Sequence, residues 1–218
     1  MDDHPVRFSV DYPDHQLNRV STAFRIFAVI PIAIVLASIG GYTSGDYDAG
    51  SGTSTVAIGG TGLLFLPTLL MIVFREKYPR WWFDFNLELL RFVNRVLSYL
   101  LLMTDVYPST DEEQYAHLEL PYPDVERDLN RWLPLVKWLL AIPHYIVLAF
   151  LYFAAVIVVI VAWFAILFTG RYPRGMFGFV EGVIRWHNRV VGYSFILVTD
   201  RYPPFSLSQR EAPPPTAS

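Results

Sequence analysis

The chain has 218 residues, 53% hydrophobic and 17% charged, with six Trp, a mean hydropathy of +0.34 and a formal net charge of -3. That leaves too little polar surface for an ordinary soluble domain of this length and predicts an integral membrane protein. Cysteine is absent, which excludes disulfides, thiolate zinc sites, iron–sulfur clusters and cysteine nucleophiles.

The N-terminal MDDHPVRFSVDYPD is polar and acidic, unlike the basic start and apolar core of a secretory signal, so the first membrane helix is expected to serve as the insertion signal. Residues 20–39 are apolar around Pro31, residues 40–55 form a Gly/Ser/Thr/Asp loop, and residues 56–74 are apolar again. Both runs have the roughly 20 residues that a hydrocarbon core about 30 Å thick requires. Next, Asp84, Glu88, Arg91, Arg95 and Ser98 fall on one narrow stripe of a helix whose remaining surface is apolar, the pattern of a helix lying at a membrane interface. Residues 105–128 are rich in acids and proline, with Arg127 as the one cation, and read as a solvated linker. Residues 132–168 are almost continuously apolar. They fit either a long helix on the bilayer followed by one across it, or a tight hairpin of two short spans. A second polar stripe follows at Glu181, Arg185, Asn188 and Arg189, interleaved with Gly178, Gly182 and Gly192, where close helix packing is expected. The Pro-rich tail, residues 208–218, reads as disordered.

Several short signatures recur in order. Tyr12-Pro13-Asp14 and Leu17-Asn18-Arg19 return as Tyr122-Pro123-Asp124 and Leu129-Asn130-Arg131, and Ile30-Pro31 returns as Ile142-Pro143. Residues 78–96 and 172–190 share nine of nineteen positions, and the closing Thr104-Asp105 and Tyr107-Pro108 return as Thr199-Asp200 and Tyr202-Pro203. Ordered recurrence of this kind predicts a duplicated unit of about 90 residues: residues 12–108, an acidic linker at 109–121, and residues 122–207.

Charge then decides between the alternatives for residues 132–168. With a hairpin there, all 17 Lys and Arg fall on one side of the membrane, as the positive-inside bias prefers. The expected fold is therefore all-α: four transmembrane helices from two parallel tandem repeats, each a helical hairpin followed by an amphipathic interfacial helix. Both termini are placed in the cytoplasm.

The candidate contact residues for lipid headgroups or a partner are Arg91, Arg95, Arg185, Asn188 and Arg189. The plain alternative is that these side chains snorkel to headgroups, or that the two stripes face each other as a charged seam. Buried pairing would then matter more for register than for stability. No Asp or Glu lies within the four expected spans, so proton-coupled transport lacks its usual carboxylate. His144 is the one titratable side chain at depth, a candidate intramembrane polar site, with donation to a carbonyl freed by the Pro143 kink as the plain reading. His187 falls on the apolar face as a satisfied imidazole. The histidines never occur at i, i+3 or i, i+4, so no metal site is expected. No cofactor, catalytic constellation or nucleic-acid partner is expected either.

The stretches AIPHYIVL, AWFAILFTGRYPRGMFGFVEGVIRW and TDRYPPFSL closely resemble a family of bacterial membrane proteins, the domain of unknown function 4389 family. The resemblance is strong over residues 130–207 and weaker in the first unit, where GRYPRG stands as EKYPRW. It implies a bacterial protein of the inner (cytoplasmic) membrane and carries no activity to transfer. The functional expectation is a non-catalytic scaffold or accessory subunit of a membrane assembly, in contact with lipids and with other membrane subunits or itself. A small channel or transporter component is the alternative.

Overall fold

The computed structural model describes residues 4–40, 60–109 and 114–208. The loop expected at 40–55, past Gly40, and the Pro-rich tail past Ser208 lie outside the described residues. In chain order the elements are β1 (Arg7–Val10), α1 (Arg19–Gly40), α2 (Gly60–Arg75), α3 (Arg80–Leu100), β2 (Ala116–Glu119), α4 (Val125–Asp128), α5 (Pro134–Leu140), α6 (Ile142–Thr169) and α7 (Arg174–Ser194).

The protein is mostly helical, but it is not all-α. β1 and β2 pair antiparallel, with Phe8 opposite Leu118 and Val10 opposite Ala116. Alternation with a period of two drives this pairing: Phe8, Val10, Ala116 and Leu118 are buried, while Arg7, Ser9, His117 and Glu119 face out. β2 lies inside the segment read as a solvated linker, where four residues of alternation are too few to stand out among acids and prolines.

The hairpin expected over 132–168 does not form. α6 runs unbroken from Ile142 to Thr169, because those residues include no glycine and no charged side chain to support a turn. In an apolar run, an unbroken helix is the arrangement that satisfies the backbone groups within the segment. Pro143 does not kink it. It sits in the first turn, where its missing N–H has no intrahelical partner to lose. Gly170 ends the helix at φ 73°, and its N–H donates to the Ile166 carbonyl at 2.7 Å. A side chain there would meet the left-handed penalty that glycine avoids. Among the described residues α6 is the one helix long and apolar enough to cross a membrane.

α3 and α7 begin alike. Pro79 and Pro173 are extended at φ -61° and -62°, and each carbonyl accepts from the N–H of a phenylalanine four residues on, Phe83 and Phe177, at 3.0 Å. The elements stack in three layers. The ribbon lies outermost on one side and packs its buried face on α3 and α7. Behind these helices lie α1, α2, α5 and α6. Their outward faces carry large apolar side chains, among them Phe27, Phe74, Trp138, Phe150, Phe153 and Phe168.

Candidate functional site

From Arg91 onward in α3 and from Glu181 onward in α7 the polar stripes turn inward, toward each other and the ribbon, while Asp84 and Glu88 at the start of the α3 stripe stay exposed. Asn94 and Asn188 exchange amide hydrogen bonds in both directions, at 3.0 and 2.8 Å. On either side of that pair, arginines reach across to strand carbonyls. Arg91 Nε donates to Leu118 O at 3.2 Å, and Arg185 Nε donates to Phe8 O at 2.8 Å. These two carbonyls belong to residues directly opposite one another in the ribbon. Arg185 also donates to Leu207 O at 2.9 Å and to Glu181 Oε1 at 2.6 Å, and Glu181 in turn accepts from the Val10 N–H at 3.2 Å. Arg91 pairs with Glu88 at 2.6 Å at the surface.

One turn further along, Arg95 donates to Ser109 O at 3.0 Å, and Arg189 donates to Ser206 O and Ser208 O at 3.1 Å. Of the five residues singled out from the sequence, Arg95, Arg185, Asn188 and Arg189 are thus buried and bonded within the chain, while Arg91 is partly exposed. Close packing accompanies them at two of the three glycines. A Cβ on Gly182 would lie 2.9 Å from Leu207 Cβ and 3.0 Å from its carbonyl oxygen, and one on Gly192 would lie 2.8 Å from a Val6 methyl; around Gly178 there is open space.

Two cation–carboxylate sites went unseen in the sequence. In one, the Arg25 guanidinium pairs with Asp105, donates to Tyr99 O at 3.0 Å and Thr104 O at 2.7 Å, and lies over the Tyr99 ring at 4.5 Å. In the other, Lys137 Nζ lies 2.6 Å from Asp200 Oδ1, donates to Thr199 O at 2.8 Å, and sits over the Tyr193 ring at 5.2 Å. Each carboxylate also accepts a backbone N–H at 2.5 Å, Asp105 from Asn18 and Asp200 from Asn130. Both cations are buried, at 1% and 0% exposure. Such a pair survives only if most of its other polar atoms are bonded too; the carbonyls and amides supply that, with Arg25 Nε alone of the guanidinium nitrogens left without a partner. The signal was present: a cation stands seven residues after the asparagine of each Leu-Asn-Arg, and an aspartate follows each closing threonine.

The signatures interlock across the molecule. Tyr12 donates its hydroxyl to Tyr172 O, and Tyr122 to Tyr78 O, both at 2.5 Å. Arg174 lies over the Tyr12 ring and Arg80 over the Tyr122 ring, at 5.0 and 5.6 Å.

His144 is fully buried and bonds no carbonyl freed by proline. Trp186 Nε1 donates to its Nδ1 at 3.1 Å, and its ring stacks on Phe205 at 4.1 Å. Accepting at Nδ1 puts the proton on Nε2, which has no hydrogen-bond partner. His187 Nδ1 lies 2.7 Å from the Tyr152 hydroxyl, beside an apolar groove of about 370 Å³ between α3, α6 and α7. His4 is buried near the far end of the seam. Desolvation, then the positive charge of Arg189, lowers its pKa from 6.5 to about 4, so it stays neutral. Among the described residues no group of three or more His, Cys, Asp or Glu side chains comes together in a way that could hold a metal.

The family model for the domain of unknown function DUF4389 matches residues 132–206. This segment, 75 of the 218 residues, carries the DUF4389 domain. No curated protein matches the chain, and no solved structure does. The DUF4389 segment covers α5, α6 and α7 with Lys137, His144, Arg185, Asn188, Arg189 and Asp200. It stops short of β1, β2 and α3, so the acceptors Phe8 O and the Asn94 amide lie outside it.

Proposed function

We propose that this protein is a non-catalytic membrane scaffold, an accessory subunit built from two copies of one unit that clasp each other through the polar seam. The carrying observation is where the charge goes. Arg25, Lys137, Arg185 and Arg189 are buried and bonded to carbonyls and carboxylates of the chain itself, and even Arg25, which borders an apolar groove of about 300 Å³, commits its guanidinium to Asp105 and to the Tyr99 and Thr104 carbonyls. From Trp132 to Thr169 the single charged side chain is Lys137, buried at 0% exposure. The surface of that stretch is therefore uncharged and suited to hydrocarbon or to an apolar partner.

The duplication reading draws support from the bond pairs described above, in which residues that recur in the sequence make matching contacts. The four-span topology with cytoplasmic termini draws less, because the second of its hairpins is replaced by unbroken α6. The test is reconstitution of the full chain into dye-loaded and salt-loaded vesicles. A scaffold leaves permeability at the level of empty vesicles. A conductance that disappears in His144→Ala would replace the scaffold with a channel component.

A further inference from the structure

α6 has the length and composition of a transmembrane helix, yet its neighbours give it a different orientation. α7 folds back along it. Tyr145 meets Phe195, Tyr152 meets His187, and Ala155 shares a groove with Val180 and Ile184. The two helices therefore run antiparallel side by side, as a short connection dictates. The opposite face of α7 carries the ribbon, joined at Glu181 and Arg185. Those residues are level with positions 152–155, the middle of α6. Beyond them the ribbon turns Arg7, His117 and Glu119 outward.

A helix of 28 residues is about 42 Å long at 1.5 Å per residue, so its middle lies roughly 20 Å from either end. If α6 stood across the bilayer, the ribbon would sit at mid-depth, with ionic side chains against lipid. Both that placement and an open two-stranded edge in hydrocarbon are strongly disfavoured. If α6 lies along the membrane plane, the conflict disappears. The ribbon faces water, α3 and α7 occupy the interface, and the apolar outer layer dips into one leaflet. A helix about 10–12 Å wide with its side chains fits within a leaflet of about 15 Å, half of a 30 Å core.

We propose that the protein is monotopic around α6: its apolar layer is immersed in a single leaflet, and α6 lies flat where hydropathy alone would have it cross. This rests on the membrane reading above and replaces the topology expected from the sequence. Ile146, Phe153, Ile160 and Phe168 are exposed along the outer face of α6, at 56, 70, 53 and 79%, and they define the line to be measured.

Because the native chain has no cysteine, single-cysteine variants at these four positions can carry a fluorophore in the full-length protein. The variants are reconstituted into phosphatidylcholine–phosphatidylglycerol vesicles with bromines at defined acyl carbons. Flat placement gives four depths that agree within about one helical turn, 5.4 Å. A crossing helix changes depth by about 33 Å from Ile146 to Phe168, giving a shallow, deep, shallow quenching profile that overturns the proposal and leaves the membrane reading intact. Quenching at none of the four positions overturns both. In a second measurement, Arg127→Cys and Arg171→Cys are exposed to an impermeant maleimide. Flat placement leaves the two modified to the same fraction in the same vesicles, and complementary fractions overturn it.

Discussion

α3 and α7 present matching apolar grooves, and the chain fills them differently. α7 is covered along most of its length by one long helix, α6, with the short α5 reaching its last turn, where Lys137 lies over Tyr193. α3 is covered by two: α1 packs Val29 and Ile32 against Phe92, Val96 and Tyr99, and α2 reaches the other end, where Thr68 accepts a hydrogen bond from Trp82 Nε1 at 2.8 Å. From Leu-Asn-Arg to Tyr-Pro-Arg, the first stretch is 18 residues longer than the second. The comparison teaches that one helix face can be covered either by one long helix with a short one at its end or by two separate helices. An apolar length near 40 residues is therefore no evidence for a hairpin. On the proposed two-copy reading, the unit is the simple α6 arrangement, and the first copy carries the insertion.

The cation–carboxylate sites are the sharpest place to break this correspondence. Lys137→Ala and Arg25→Ala each leave a largely buried aspartate unpaired, and each is expected to destabilise by about 3–5 kcal/mol, read as helical melting in detergent. If one variant melts normally while the other collapses, the two sites are not equivalent. Acidification is the next largest effect. His4 has a folded pKa near 4 against 6.5 unfolded, so the unfolded chain takes up its proton first. Its contribution is complete above pH 6.5 and lost as pH falls toward 4, at most about 3 kcal/mol. The melting temperature of His4→Phe should then fall less than wild type over that window.

The amide pair tests the seam itself. Asn94→Leu or Asn188→Leu alone strands the opposite amide and costs about 1–3 kcal/mol, whereas the double variant is expected to cost less than the sum, a coupling that a double-mutant cycle reads directly. An additive result would mean the two helices do not lean on that contact. The glycines span a comparable effect and the smallest one. Gly182→Ala meets the Leu207 backbone and costs about 1–3 kcal/mol by overpacking. Gly178→Ala, with open space around it, should be neutral or gain up to about 1 kcal/mol of helix propensity.

Much of the architecture could be read early because it rests on local pattern. The helical content, the long apolar run at 132–168 and the DUF4389 resemblance follow from composition and from motifs that sit close together in the chain. The polar stripe of α7 was visible at helical spacing, but what it faces was not, since Phe8 and Arg185 lie 177 residues apart. The ribbon stayed hidden for the same reason: β1 and β2 are each four residues long and acquire meaning only when paired. Arg25 and Lys137 were overlooked because a cation in an apolar helix looks like an isolated exception until Asp105 and Asp200 arrive from 80 and 63 residues away.

What the sequence determined by itself is the chemistry of each surface: which stretches cannot remain in water, which stripe must stay polar, and that no thiol chemistry is available. What only the tertiary structure decided is direction. Hydropathy is a sum over a segment and carries no vector, so α6 passes as a spanning helix on composition alone. Its orientation is set by α7 lying antiparallel beside it and by a charged ribbon level with its middle. Burial of a polar face against a distant strand is a long-range constraint, and no window of local sequence contains it.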